Sequence, residues 1–150
     1  MTVTDFKSRV FILIASGFEE AATIRCLEQM RQASLPVSLV ALSAGLVTGW
    51  YGLSVHPDLT LDQVNAHEPC KLVILPGGQM CATALLTDPR VHRLLNTLIA
   101  QGGVVGVMET AVPVVLQSGL RSPGQDVRYV IQDEEGLELF VSRLLRLIGD

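Results

Sequence analysis

The chain has 150 residues, a length that suits one domain built on one core. Apolar residues make up 49%, charged residues 17%, and the net charge is −4, which excludes a basic nucleic-acid surface. No apolar run is long enough for a membrane span, and the N-terminal segment lacks the apolar centre of a signal peptide. Three cysteines without metal-like spacing fit a reducing cytoplasm.

Strands and helices are expected to alternate along the whole length. Val10 to Ala15 is a continuous apolar run, the pattern of a strand covered on both faces. Ser16-Gly-Phe-Glu19 has capping-box spacing and is expected to open a helix reaching about Gln32. Val37 to Leu42 and Leu72 to Leu75 read as further buried strands, the second followed by Pro76-Gly77-Gly78 and a short helix holding Cys81. Thr87-Asp88-Pro89 starts another helix, with Val91, Leu94, Leu95, Leu98 and Ile99 on one face and Gly102 as its stop. Val104 to Met108 is the next strand and ends abruptly in Glu109-Thr110. Asp133-Glu-Glu135 reads as the acidic first turn of a terminal amphipathic helix carrying Leu137, Phe140, Val141, Leu144 and Ile148.

This alternation predicts a mostly parallel sheet flanked by helices on both sides, a flavodoxin-like three-layer α/β sandwich forming a single domain over residues 1–150. Sites in such sheets form at the carboxyl ends of the strands. Ser16-Gly17, Pro76-Gly-Gly78 and Met108 to Thr110 all fall there and are expected to converge. The strand-to-helix step at Glu109 has the outline of a nucleophile elbow, which exposes one side chain above a helix N-terminus.

Four motifs in order carry a family resemblance: Ala15-Ser-Gly-Phe-Glu-Glu20, Gly52-Leu-Ser-Val55 with Asp58-Leu-Thr-Leu-Asp62, Leu72-Val-Ile-Leu-Pro-Gly-Gly78, and Gly103-Val-Val-Gly-Val-Met-Glu-Thr110. The chain resembles the DJ-1/PfpI (ThiJ) superfamily, whose architecture is that of the class I glutamine amidotransferases and whose elbow carries a reactive cysteine. The family's spacing from Gly78, and back from Gly119, puts Glu109 at the cysteine position, whereas anchoring on Pro113 puts Thr110 there. Neither restores a cysteine. The glutamate that touches the cysteine in the DJ-1 branch aligns with Ala22, and no histidine follows His92 to serve as a partner base.

The resemblance implies that an amide at Gly77 or Gly78 helps form an oxyanion hole, and that Gly17 and Glu19 border the same ligand cleft. It also implies a homodimer, with the His56 segment a candidate contact. Glu109 can be read as a nucleophile or base, or as a carboxylate that mimics an oxidised cysteine and does no chemistry. Nucleophilic catalysis needs an activating base, so the non-catalytic reading is favoured. Cys81 is the runner-up nucleophile, since a thiol in a first helical turn can have a lowered pKa. His92 is expected to face water and Trp50-Tyr51 to be surface or interface aromatics. No cofactor or metal is implied. The expected role is binding of a small ligand or protein partner at the Glu109 cleft; the alternative is a hydrolase or aldehyde-processing enzyme using Glu109 or Cys81.

Overall fold

The expected apolar runs become one parallel sheet in a computed structural model that describes residues 9–64, 70–119, 128–132 and 135–149. Its strands are β1 (Val10–Ile14), β2 (Val37–Ala41), β5 (Leu59–Thr60), β6 (Leu72–Leu75), β7 (Val104–Val107) and β8 (Tyr129–Ile131), in the order β5-β2-β1-β6-β7-β8. Every pairing in this sheet is parallel. All residues of β1, β6 and β7 are buried, which is why these strands are continuously apolar rather than alternating. A separate antiparallel pair, β3 (Val47–Thr48) with β4 (Ser54–Val55), projects the intervening loop over the carboxyl ends of the sheet. This hairpin, β5 and a 3-10 turn at Leu61–Gln63 with a true capping box at Thr60 were not expected as elements.

The helices are α1 (Glu20–Gln32), α2 (Gln79–Leu86), α3 (Pro89–Ala100), α4 (Val112–Gln117) and α5 (Leu137–Ile148). α1 packs with α5 as one layer, and α2 packs with α3 and α4 as the other. The last two predicted starts divide. Asp88 caps α3 by accepting from the Arg90 N–H at 2.9 Å, with Pro89 behind it as expected. α5 instead begins after Gly136; Asp133 and Glu134 lie outside the described residues, and Glu135 is paired with Arg143 rather than placed in the helix. The capping box expected at Ser16–Glu19 does not form either: Glu19 is the N-cap of α1 and its side chain bonds no helical N–H. Glu19 and Glu20 have other partners, described below.

Gly106 shows how β7 receives α5. A Cβ there would stand 3.0 Å from Leu144 Cδ1 and 3.3 Å from Phe140 Cζ, both on α5 and both fully buried. Arg90 ties the helices to the sheet edge by donating to Asp88, Asp62 and the Leu42 carbonyl. Among the described residues no helix is long and apolar enough to cross a membrane.

Leu144→Ala is expected to lower the unfolding free energy by about 2–5 kcal/mol through the cavity it leaves between α5 and β7. Urea melts with an unchanged m-value would measure it. A loss within about 0.5 kcal/mol, the range of a surface change, would remove Leu144 from the core.

Candidate functional site

The carboxyl ends of β1 and β6 meet through backbone contacts that leave no room for side chains. A Cβ on Gly78 would stand 2.4 Å from the Gly17 carbonyl oxygen, and one on Gly17 would stand 2.9 Å from Met80 Cβ. Both glycines also have positive φ, 107° and 86°, which L side chains rarely adopt. The Glu19 N–H donates to the Gly77 carbonyl at 3.1 Å, and the Gly17 N–H to the Thr48 carbonyl at 2.9 Å. The turns after β1 and β6 and the end of β3 are thereby joined as one floor.

Above this floor lies an open cleft of about 1090 Å³. Glu19, Gly78, Glu109 and Thr110 line it, together with Trp50, Tyr51, Gln79, Met80, Thr83, Ala84 and Pro113. The expected convergence of the three strand ends is therefore present. Gly17 and Gly77 lie buried beneath rather than on the wall. Above Gly77 two polar groups crowd together: a Cβ there would fall 2.1 Å from Glu19 Oε1 and 2.6 Å from Thr110 Oγ1.

The strand-to-helix step is relaxed rather than strained. Met108 is extended, Glu109–Ala111 form one 3-10 turn, and α4 follows with only six residues. Among the described non-glycine residues only Ser34 has a positive φ, so neither Glu109 nor Thr110 is held in the strained turn of a nucleophile elbow. The amides nearby are also taken. Thr110 Oγ1 accepts from the Gly78 N–H at 2.7 Å, and Gln132 Oε1 accepts from the Glu109 N–H at 3.0 Å. Glu109 and Thr110 are exposed.

Cys81 is corrected most sharply. It does lie in the first turn of α2, but on the face turned away from the cleft, with no exposed surface. Burial, only partly offset by a backbone hydrogen bond at Ala15, pushes its thiol up to about 12 rather than down. Cys26 is likewise raised to about 12 by burial, and Cys70 to about 11 by burial against weaker opposing contacts with Leu72, Arg9 and Phe11. Among the described residues, no cysteine or histidine lines the cleft. His56 is exposed at the end of β4. His92, expected to face water, is half-buried with its Nε2 2.6 Å from the Leu86 carbonyl. His67 lies outside the described residues. Among the described residues no three His, Cys, Asp or Glu side chains gather as a metal site.

Two aromatic walls emerge from the β3–β4 hairpin. Glu20, only 9% exposed, accepts from the N–H groups of Tyr51 at 2.7 Å and Leu53 at 3.2 Å. The Trp50 N–H donates to the Phe18 carbonyl at 2.9 Å. Gly49 makes the approach feasible, since a Cβ there would fall 2.4 Å from Glu20 Cδ. The loop backbone is fixed while Trp50 and Tyr51 remain 61% and 88% exposed. Sequence reading missed this device; the signal available was a glutamate followed at a distance by Gly-Trp-Tyr-Gly. Desolvation pushes the Glu20 carboxyl up, but the backbone N–H groups of Glu20, Leu53, Tyr51 and Gly52 together outweigh it and hold the carboxyl below its ordinary value.

The sequence profile of the DJ-1/PfpI family matches residues 8–123, and the chain belongs to this family. Among curated relatives it is 26% identical over 127 residues to the protein named deglycase PfpI from Pyrococcus furiosus, covering 84% of this chain and 75% of that one. It is 26% identical over 128 residues to a protein of Caenorhabditis elegans named a glutathione-independent glyoxalase, covering 85% of this chain and 68% of that one. The crystal structure of a DJ-1 superfamily protein from Salmonella typhimurium superposes with a TM-score of 0.80 at 23% identity. That match covers 95% of this chain and 91% of the other, and it establishes the fold.

Two outcomes follow. In the folded protein at pH 7.5, a thiol reagent is expected to modify Cys26 and Cys81 only at the rate of opening, and in full once urea is added; rapid native modification of Cys81 would contradict its burial. For Glu20 the folded pKa is lowered, so its stabilisation is complete above the unfolded value of about 4.3 and is lost as pH falls through the folded one. The stability gap between wild type and Glu20→Gln should therefore shrink on acidification from pH 6 to pH 3. A gap constant across that range would show that the charged carboxylate is not what holds the hairpin.

Proposed function

We propose that this protein is a single-domain DJ-1/PfpI member that binds a small ligand or a partner at the Glu109 cleft without thiol chemistry. The observation that carries this reading is the composition of the cleft, which among the described residues has two carboxylates but neither a cysteine nor a histidine on its walls. Nucleophilic catalysis of the family's kind needs a thiolate and a group to activate or orient it. The amide geometry supports the same reading: Gly78 and Glu109 direct their N–H groups at protein acceptors, so these two are not presented to a developing oxyanion. The site residues proposed are Glu109, Thr110 and Glu19, with Gly17, Gly77 and Gly78 as the floor. Three free cysteines fit a reducing, cytoplasmic setting. Self-association through the β3–β4 hairpin and the adjoining His56 segment is proposed on the exposed Leu46 and Leu53, which lie outside the cleft lining.

The names of the relatives, deglycase and glyoxalase, favour a second reading in which carbonyl compounds are processed here. The residue to carry it is Glu109, the exposed carboxylate at the end of β7. A panel of reactive aldehydes, chromogenic esters and peptides separates the two. Wild type, Glu109→Gln and Cys81→Ala are all expected to remain folded and to show no turnover above a protein-free blank. Turnover abolished by either substitution would overturn the binding-only reading and name the catalytic residue.

A further inference from the structure

The chemistry of the cleft walls selects the kind of ligand. Glu19 and Glu109 bring two carboxylates to it, and among the described residues no Lys, Arg or His lines it. Neither carboxylate has an ion pair among the described residues. The described ion pairs engage Glu138, Asp58, Asp62, Asp88 and Glu135 instead, all outside the cleft. Sharing the cleft with the carboxylates are an indole and a phenol, Trp50 and Tyr51, on the loop whose backbone Glu20 holds, and Met80 at 51% exposure. An anion would find neither the Gly78 nor the Glu109 N–H free, since Thr110 and Gln132 accept from them. A neutral apolar ligand would have to desolvate two carboxylates without compensating them.

Resting on the binding role proposed above, we infer that the cleft takes an organic cation, an ammonium or guanidinium group with an apolar skirt. Its charge lies between Glu19 and Glu109, and its methyl or methylene groups lie against Trp50, Tyr51 and Met80. Aromatic faces attract such cations through the ring quadrupole, and weakly hydrated alkylammonium groups lose least on leaving water. The preset loop means that little ordering entropy is spent on binding.

Trp50 is the single tryptophan of the chain, so its fluorescence reports on this cleft alone. Choline and tetramethylammonium are titrated into the full-length protein. The neutral isostere 3,3-dimethylbutan-1-ol, and the anions acetate and phosphate, are titrated in parallel. Saturable change is expected with the two cations only. Glu19→Gln, Glu109→Gln and Tyr51→Leu should each weaken it by about two- to fivefold. Thermal melting verifies that each variant is folded, and the milder Tyr51→Phe should retain binding because the ring face is kept. A lysine-containing peptide binding more tightly than either free cation would place the cation on a protein partner and sustain the inference. Saturable binding of the neutral isostere or the anions in preference to the cations would overturn it while leaving a ligand-binding cleft in place. Binding of none of these probes by folded protein would defeat the inference, while the binding reading stands or falls separately on the turnover panel.

Discussion

The cleft depends on backbone packed against backbone. Gly78 approaches the Gly17 carbonyl so closely that a Cβ would lie 2.4 Å from it, and the Glu19 N–H reaches the Gly77 carbonyl at 3.1 Å. The carboxyl ends of β1 and β6 are thus joined directly, without side chains between them. What remains above them is a space whose walls come from later turns: α2 with Met80, the 3-10 turn with Glu109, and the hairpin with Trp50. A larger residue at Gly17 or Gly78 would separate the strand ends and dismantle the floor on which all the other groups are placed.

Two adjacent glutamates illustrate how the start of one helix divides its work. Glu20 turns inward, where burial disfavours its charge, and it is retained because the backbone N–H groups of Tyr51 and Leu53 supply what water would have supplied. Its second oxygen has no partner among the described residues, so the compensation is incomplete. Glu19, one residue earlier, reaches over Gly77 toward Thr110 and faces the cleft. One carboxylate therefore positions the aromatic wall and the other contributes charge to the site. Neither performs the side-chain capping that their position would suggest.

Two amides of the cleft, Gly78 being one expected to help form an oxyanion hole, are engaged by side-chain acceptors. Such a hole requires N–H groups aimed at empty space where negative charge develops. Here Thr110 supplies a hydroxyl oxygen at 2.7 Å to Gly78 N–H, and Gln132 supplies an amide oxygen at 3.0 Å to Glu109 N–H. The step from β7 into α4 then has no reason to be strained, and it is not. Internal satisfaction of these two donors and relaxation of the turn are two sides of one arrangement, and among the described residues the charged groups lining the cleft are the two carboxylates.

The sequence by itself determined the architecture. Continuous apolar runs in β1, β6 and β7 can be buried only between two helical layers, and Pro89, Asp88 and Gly102 mark helix ends through conformational constraints that need no tertiary context. The clustering of Gly17, Gly78 and Glu109 was legible too, because a parallel sheet brings its strand ends together whatever the details. What only the tertiary structure decided was side-chain direction and solvation. Whether Cys81 faces the cleft or the core depends on the rotation of α2, and burial then raises its thiol to about 12. Whether Glu19 caps a helix or reaches Gly77 depends on how closely two turns pack. The short β3–β4 hairpin carries too few residues for a period to show, and the Glu20 bonds that fix it span 31 and 33 residues. Such long-range pairings leave no local pattern, because their energy comes from desolvated backbone groups that become neighbours only once the sheet has formed.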